Sequence, residues 1–161
     1  MLKKNIIVSV ASQNLTCFEE GTLLKRYPVS TAKNGVGEQL NSECTPRGQH
    51  AVYQILGLGH AENSVFIARE WTGEIYTKAL AEANPERDWI LTRIIWLAGL
   101  EPGFNQGVAV DTQSRFIYIH GTPDETSFEA PGSHGCIRMC NQDMIALADW
   151  ATVGTSVLIE E

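Results

Sequence analysis

A chain of 161 residues, 43% hydrophobic and 19% charged, is long enough to bury one sizeable core, so a single domain over residues 1–161 is expected. Its formal net charge of -7 leaves no broad basic surface for nucleic-acid phosphates or for an anionic membrane face. A small molecule or a peptide is the expected partner.

The N-terminal stretch MLKKNIIVSVASQNLTCFEEG sets two lysines before an apolar run, as a secretory leader would. The run from Ile6 to Ala11 is broken by Ser9 and falls short of the ~7–15 apolar residues of a leader. It reads as a first β-strand. With Met1 as the natural start, the cytoplasm is the expected location, where Cys17, Cys44, Cys136 and Cys140 would stay reduced. LTCFEE, LLKRYPVSTA, QHAVYQIL, SVFIARE and GEIYTKAL follow as strand-like runs rich in β-branched and aromatic residues, separated by SQN, EEG, KNGVGE, TPRG and GLGHAEN. His50 and His60 lie in or beside these runs without acidic or cysteine neighbours and are expected to be structural.

ALAEANPERDWILTRIIWLAG predicts a short helix or extended loop up to Pro85 and a regular segment from Asp88 to Leu97, whose type the pattern leaves open. The apolar run from Trp89 to Leu100 is far below the ~20 residues that span a bilayer. Arg93 inside it must be paired or reach solvent, which leaves an ion pair or a ligand carboxylate as its partner. RFIYIHGT alternates, placing Phe116, Tyr118 and His120 on one face and Ile117 and Ile119 on the other. NQDMIALADWATVG predicts a helix with Asn141 as N-cap, Asp143 in the first turn, Met144, Leu147 and Ala148 at helical spacing, and Gly154 as terminator. GTSVLIEE closes the chain as a strand. Trp71, Trp89, Trp96 and Trp150 are expected in the core or in a pocket wall. The domain is therefore mainly β.

Ile119 to Met139, IHGTPDETSFEAPGSHGCIRM, gathers two of the four histidines with a cysteine and an arginine. A thiol attacks only as thiolate, so Cys136 needs a histidine, a cation or backbone N–H groups to reach that form. His120, on a strand end, is the candidate base. The amides of Gly135 and Cys136 could face a developing oxyanion, with Ser133 or His134 adding a donor or holding the turn. Such a set would perform acyl transfer through a thioester. Three other readings stay open: a buried inert thiol, a metal site from His120, His134, Cys136 and Cys140, and a redox pair of Cys136 with Cys140. Against the second, H-x-C-x3-C is not a standard ligand spacing, and against the third there is no CxxC.

HGT followed by a loop and SHGCIRM resembles the catalytic signature of the L,D-transpeptidase, or YkuD-type, family. YPVSTAKNGVGEQLNSECTPRGQHAVYQI is similar to that family's upstream VSTG and TPxG elements, with Ala32 where glycine is common, and GTSVLIEE to its closing strand. The resemblance implies a β-sandwich or barrel-like catalytic domain with one or two short helices, acting on peptidoglycan stem peptides without a metal or other cofactor. It also implies Cys136 as the acylated nucleophile and His120 as its base, oriented by a backbone carbonyl near Gly121. His134 and Gly135 would shape the oxyanion site and Ser133 would fix the turn. Arg138 is the candidate for a substrate carboxylate, with an ion pair to an acidic residue as the alternative, Arg93 is the second such cation, and Tyr118 could line the pocket.

Two outcomes follow from the thioester. Water gives an L,D-carboxypeptidase that removes the terminal D-alanine from tetrapeptide stems, and an amine gives an L,D-transpeptidase that crosslinks stems or exchanges D-amino acids. An expected cytoplasmic location favours water and soluble muropeptides in recycling. A non-catalytic muropeptide-binding module is the reading of another class.

Overall fold

The computed structural model describes residues 2–161; Met1, on which the expected start of the chain rests, lies outside the described residues. Its elements are β1 (Lys4–Ser9), β2 (Asn14–Glu19), β3 (Thr22–Pro28), β4 (Gly48–Leu56), β5 (Ser64–Ile67), β6 (Glu70–Ile75), α1 (Lys78–Ala83), β7 (Ile90–Gly99), β8 (Tyr118–Gly121), β9 (Ile137–Met139), α2 (Asn141–Trp150) and β10 (Ser156–Glu160). The strands join one mixed sheet in the order β3-β2-β1-β10-β4-β7-β5-β6, and β8 pairs with β7 and carries β9. Only β1 with β10 and β8 with β9 run parallel among the strand pairs of the described residues. No helix among the described residues is long and apolar enough to cross a membrane.

The segment whose type the pattern leaves open is β7, the ten-residue strand on which the sheet turns. Its Ile94–Trp96 stretch pairs with β4 on one edge and with β8 on the other. Such a strand is covered on both sides, which explains why its sequence runs almost continuously apolar instead of alternating. The register slips between Leu91 and Ile94, where Thr92 takes a φ of 75°. This bulge redirects the strand beside Gly121.

Alternation sorts the side chains of β7 and β8. Ile95, Leu97, Ile117 and Ile119 enter the main core with Ile6, Val8, Leu15, Ile137, Met139 and Ile159, and α2 closes that core with Met144, Leu147 and Ala148. Burying one such aliphatic side chain contributes roughly 1.5–3 kcal/mol. Ile94 and Tyr118 face the other way, into a smaller cluster with Phe66 that Trp96 and Cys136 cover. The expected face of Tyr118 and His120 is therefore the face that carries the second cluster. Phe116 precedes the strand in a turn, with a φ of 58°.

Further local expectations differ, and α2 ends at the extended C-cap Ala151, three residues before the expected terminator Gly154. The run GEIYTKAL changes type after Ile75, because Thr77 caps a new helix by accepting from Leu80 N at 3.0 Å. The N-cap of α2 is Cys140, without a side-chain cap bond, and Asn141 is buried instead at the first helical position. Its amide donates to Asn63 Oδ1 at 2.9 Å and its Oδ1 accepts from Thr92 Oγ1 at 2.6 Å, so the bulge claims the side chain a cap would have used. Trp71 is 47% exposed on β6 and stacks against His60 with ring centroids 4.8 Å apart, outside any core.

Candidate active site

β8 and the turn into β9 form the floor of a cleft of ≈ 450 Å³ lined by Ala68, Arg69, Asp88, Ile90, Phe116, Tyr118, His120, Ser133, His134 and Cys136. His120 is buried at the end of β8, and its Nδ1 lies 2.6 Å from Gly121 O. A carbonyl can only accept, so Nδ1 carries the proton and Nε2 is left as the acceptor of a neutral imidazole. Burial pulls the His120 pKa below its ordinary value, partly opposed by the bond to Gly121 O and by the Asp88 charge, while the Arg138 charge reinforces it. Gly121 is required by sterics. A Cβ there would collide with Asn141 Oδ1 and with Leu91 O at the β7 bulge.

Cys136 is half-buried immediately before β9. Its Sγ accepts from Tyr118 N at 3.3 Å and donates to Phe116 O at 3.5 Å. Burial pushes the thiol up to about 12; the Asp88 charge adds to that, and Tyr118 N–H, Arg138 and Arg115 oppose it. Thiol and imidazole are thus both neutral at rest. A rotation of the thiol away from Phe116 O is needed to bring its proton to the imidazole.

The turn that carries Cys136 is held from three directions. Ser133 Oγ accepts from Gly135 N at 3.2 Å and donates to Cys136 O, so Ser133 folds the turn on itself. Gly135 adopts a φ of +128°, a region L side chains rarely occupy, and its carbonyl accepts from Thr45 Oγ1 at 2.9 Å. Thr45 Oγ1 in turn accepts from Ala32 N at 3.0 Å. The strand-like segment before it docks alongside: Ser30 N donates to Arg138 O, Arg138 N to Ser30 O, and both Gly132 N and Ser133 N to Thr31 O. The upstream VSTA and TP elements therefore brace the cysteine turn. Because Gly135 N–H is taken by Ser133, the Cys136 amide is, of the two considered from sequence, the one left without a partner among the described residues.

Of the residues singled out by sequence, Cys136, His120, Ser133, His134 and Tyr118 come together in the cleft, with Gly121 and Gly135 supporting them. His134 stands exposed on the rim. Arg138 lies on β9 opposite His120, where Nη1 donates to Gly132 O at 3.1 Å and Nη2 pairs with Asp88 Oδ1 at 3.2 Å. The ion-pair alternative for Arg138 is thus realised. Arg93 sits at the bulge, outside the cleft lining, and its Nη1 donates to His60 O at 2.9 Å and to Thr92 O at 2.6 Å. Cys140 caps α2 and Cys17 lies in the core, and all four cysteines are unpaired with one another. Among the described residues no three or more His, Cys, Asp or Glu side chains converge as a metal site would require.

Sequence reasoning missed Arg69 and Asp88, which come from the β5–β6 hairpin and from the loop before β7. Arg69 Nη1 donates to Tyr118 OH at 2.9 Å, and its guanidinium lies 4.8 Å from the Trp96 ring centroid and 4.6 Å from that of Phe116. One signal was present. The two-residue turn between SVFI and EWTGEI is Ala-Arg, with φ values of 49° and 68°, where Asn-Gly or Gly would be the ordinary choice.

No curated protein matches the chain in sequence. Its fold matches an L,D-transpeptidase from Mycobacterium smegmatis with a TM-score of 0.63 at 15% identity, covering 99% of this chain and 59% of that one. L,D-transpeptidase 3 from Mycobacterium tuberculosis, in complex with a faropenem-derived adduct, matches with a TM-score of 0.61 at 15% identity, over 99% and 61%. An L,D-transpeptidase from Xylanimonas cellulosilytica matches with a TM-score of 0.54 at 20% identity, over 98% and 60%. The chain thus spans about three-fifths of the length of these solved structures. The family model of the L,D-transpeptidase catalytic domain, YkuD, matches residues 3–159, and the chain belongs to that family.

Proposed function

We propose that residues 1–161 act as one catalytic domain, a cysteine-dependent L,D-carboxypeptidase that removes the terminal D-alanine from peptidoglycan tetrapeptide stems through a thioester on Cys136. The observation that carries this reading is His120, whose Nδ1–H is committed to Gly121 O on the floor of the cleft that also holds the Cys136 thiol. Its Nε2 can take the thiol proton as Sγ attacks the carbonyl of the third stem residue. The Cys136 amide faces the oxyanion. The protonated imidazole then hands its proton to the leaving amine of D-alanine, and the thioester remains. In the second half, Nε2 takes a proton from water as its oxygen attacks, the C–S bond breaks, and the thiol recovers its proton.

Access of water supports hydrolysis. Ala68, Asp88, Phe116 and His134 on the cleft rim are exposed, so the thioester would be open to solvent once D-alanine leaves. The proposal extends to muropeptides as substrates and to recycling in the cytoplasm. The transpeptidase reading has its own support, the family model itself.

The product mass from tetrapeptide, with and without excess D-amino acid or a second stem peptide, tests the proposal. Tripeptide and free D-alanine under every condition are expected. Crosslinked dimers or exchanged D-amino acids as main products overturn hydrolysis in favour of transpeptidation, and an unreacted, tightly held tetrapeptide overturns both in favour of a binding module.

A further inference from the structure

Arg138 and Arg93 are held by carbonyl oxygens and, for Arg138, by Asp88. Neither lines the cleft, and Arg138 already carries the Asp88 carboxylate. Arg69 differs in each respect. It lines the cleft, it makes one hydrogen bond, to Tyr118 OH, and among the described residues no carboxylate lies within ion-pair distance of it. The rings of Trp96 and Phe116 hold the guanidinium in place. Such stacking lowers the freedom a guanidinium loses on binding while leaving its in-plane N–H groups available.

The backbone is consistent with a demand for this side chain. Both central residues of the β5–β6 turn have positive φ, at 49° for Ala68 and 68° for Arg69, a geometry that glycine or asparagine adopts at less cost. Arginine there accepts strain in exchange for a guanidinium at the cleft.

Tyr118 sets the spacing. Its backbone N–H points at Cys136 Sγ and its hydroxyl at Arg69, so thiol and guanidinium stand at the two ends of one tyrosine. The scissile carbonyl carbon and the carboxylate carbon of the following residue are one residue repeat apart, ~3.3–3.6 Å in an extended chain.

We infer that Arg69 is a specificity-determining residue that binds a carboxylate of the substrate and so selects stem peptides bearing a free acid. The inference rests on the acyl-transfer reading of Cys136. Two carboxylates share this chemistry: the α-carboxylate of the leaving D-residue, which the spacing favours, and the side-chain carboxylate of an acidic or diamino-acid third residue.

Three tetrapeptides separate them: the free acid, its C-terminal amide, and a peptide whose third-residue side-chain carboxylate is amidated. Wild type is expected to lose roughly ten- to a hundredfold in kcat/KM on amidation of the recognised carboxylate. Arg69→Ala should lose a similar factor on the free acid and show no further loss on that amide, with Arg69→Lys in between and the melting temperature close to wild type. Loss confined to the C-terminal amide assigns the leaving residue, and loss confined to the other assigns the third residue. Wild-type discrimination that persists in Arg69→Ala overturns the inference. Binding of the same three peptides to the Cys136→Ala protein judges Arg69 without turnover: an acid preference that vanishes in Cys136→Ala/Arg69→Ala supports it, and one that persists refutes it. Absence of turnover by wild type would fall on the acyl-transfer reading alone.

Discussion

Cys136 is half-buried at the edge of the small cluster of Phe66, Ile94 and Tyr118, and its thiol's hydrogen bonds to Tyr118 N and Phe116 O are both long, so its truncation leaves the main core untouched. Cys136→Ala is expected to abolish turnover while moving the melting temperature by no more than a degree or two; an active Cys136→Ala protein would falsify the nucleophile. The protonation state carries a second prediction. With the thiol pushed up to about 12 and His120 held below its ordinary value, both by burial, the resting pair is neutral rather than thiolate and imidazolium. Iodoacetamide, which needs thiolate, should then alkylate Cys136 at pH 7 roughly a hundredfold or more slowly than an unperturbed thiol with a pKa of about 8.5. Turnover should fall only on the acid side of about pH 6.5, as His120 gains its proton. Fast alkylation at neutral pH, read by peptide mass, would instead reveal a preformed ion pair. These residues were legible because the motif packs Ser133, His134, Gly135 and Cys136 into four consecutive positions and His120 into a strand with clean alternation. Arg69 and Asp88 were not, since they reach the cleft from chain positions that only the folded sheet brings near.

Thr45 couples two elements that are far apart in the chain. Its hydroxyl donates to Gly135 O and accepts from Ala32 N, and it is fully buried, so neither partner can turn to water instead. Thr45→Val keeps the shape and removes both bonds, leaving a buried carbonyl and a buried amide unmatched. A destabilisation of about 2–6 kcal/mol is expected, at roughly 1–3 kcal/mol for each of the two orphaned groups. Urea melts measure it, and a change below the error of the melt would show that the cysteine turn stands without this brace. Because Gly135 precedes the proposed nucleophile, kcat should fall more than KM rises. The resemblance pointed to the TP pair without giving it a role, and the physical role became visible only when the turn and the upstream segment were seen in one bridge, Ala32 with Ser133. β7 resisted assignment for a related reason. Helix and fully buried strand share a continuous apolar pattern, and only its neighbours on both edges decide between them. The misassigned cap at Asn141 has the same origin, because a distant bulge outbids a local cap.

At the scale of the molecule, strand content could be read from the sequence, whereas the order of strands could not. β1 meets β10 across nearly the whole chain, and no local feature of NIIVSV or SVLIE names its partner. β10 then lies against β4, whose His50 pairs in register with Val157 of β10 and with Gly99 of β7. The imidazole itself joins a fourth segment: Nδ1–H donates to Gly48 O at 2.9 Å, and Nε2 accepts from Thr112 Oγ1 at 3.0 Å. Burial lowers its pKa to about 4, with Gly48 O, Glu101, Glu38 and Val157 opposing the shift. The folded state therefore holds His50 neutral at a pH where the unfolded chain, with an ordinary value of about 6.5, binds a proton. Stability from this group is fully present above about pH 6.5 and is lost progressively as the pH falls to about 4, below which both states are protonated. The loss from His50 is ~3 kcal/mol at the acid end of that window. His120, lowered in the same direction, adds to it. Against a total stability of about 5–15 kcal/mol, this is enough to shift the urea midpoint clearly between pH 7 and pH 4.5. His50→Asn, whose amide can still donate to Gly48 O, should be less stable at pH 7 and should show a shallower acid slope than wild type. Equal slopes in the two proteins would mean that the acid sensitivity lies elsewhere than in the histidine that ties β4, β7, β10 and the loop at Thr112 together.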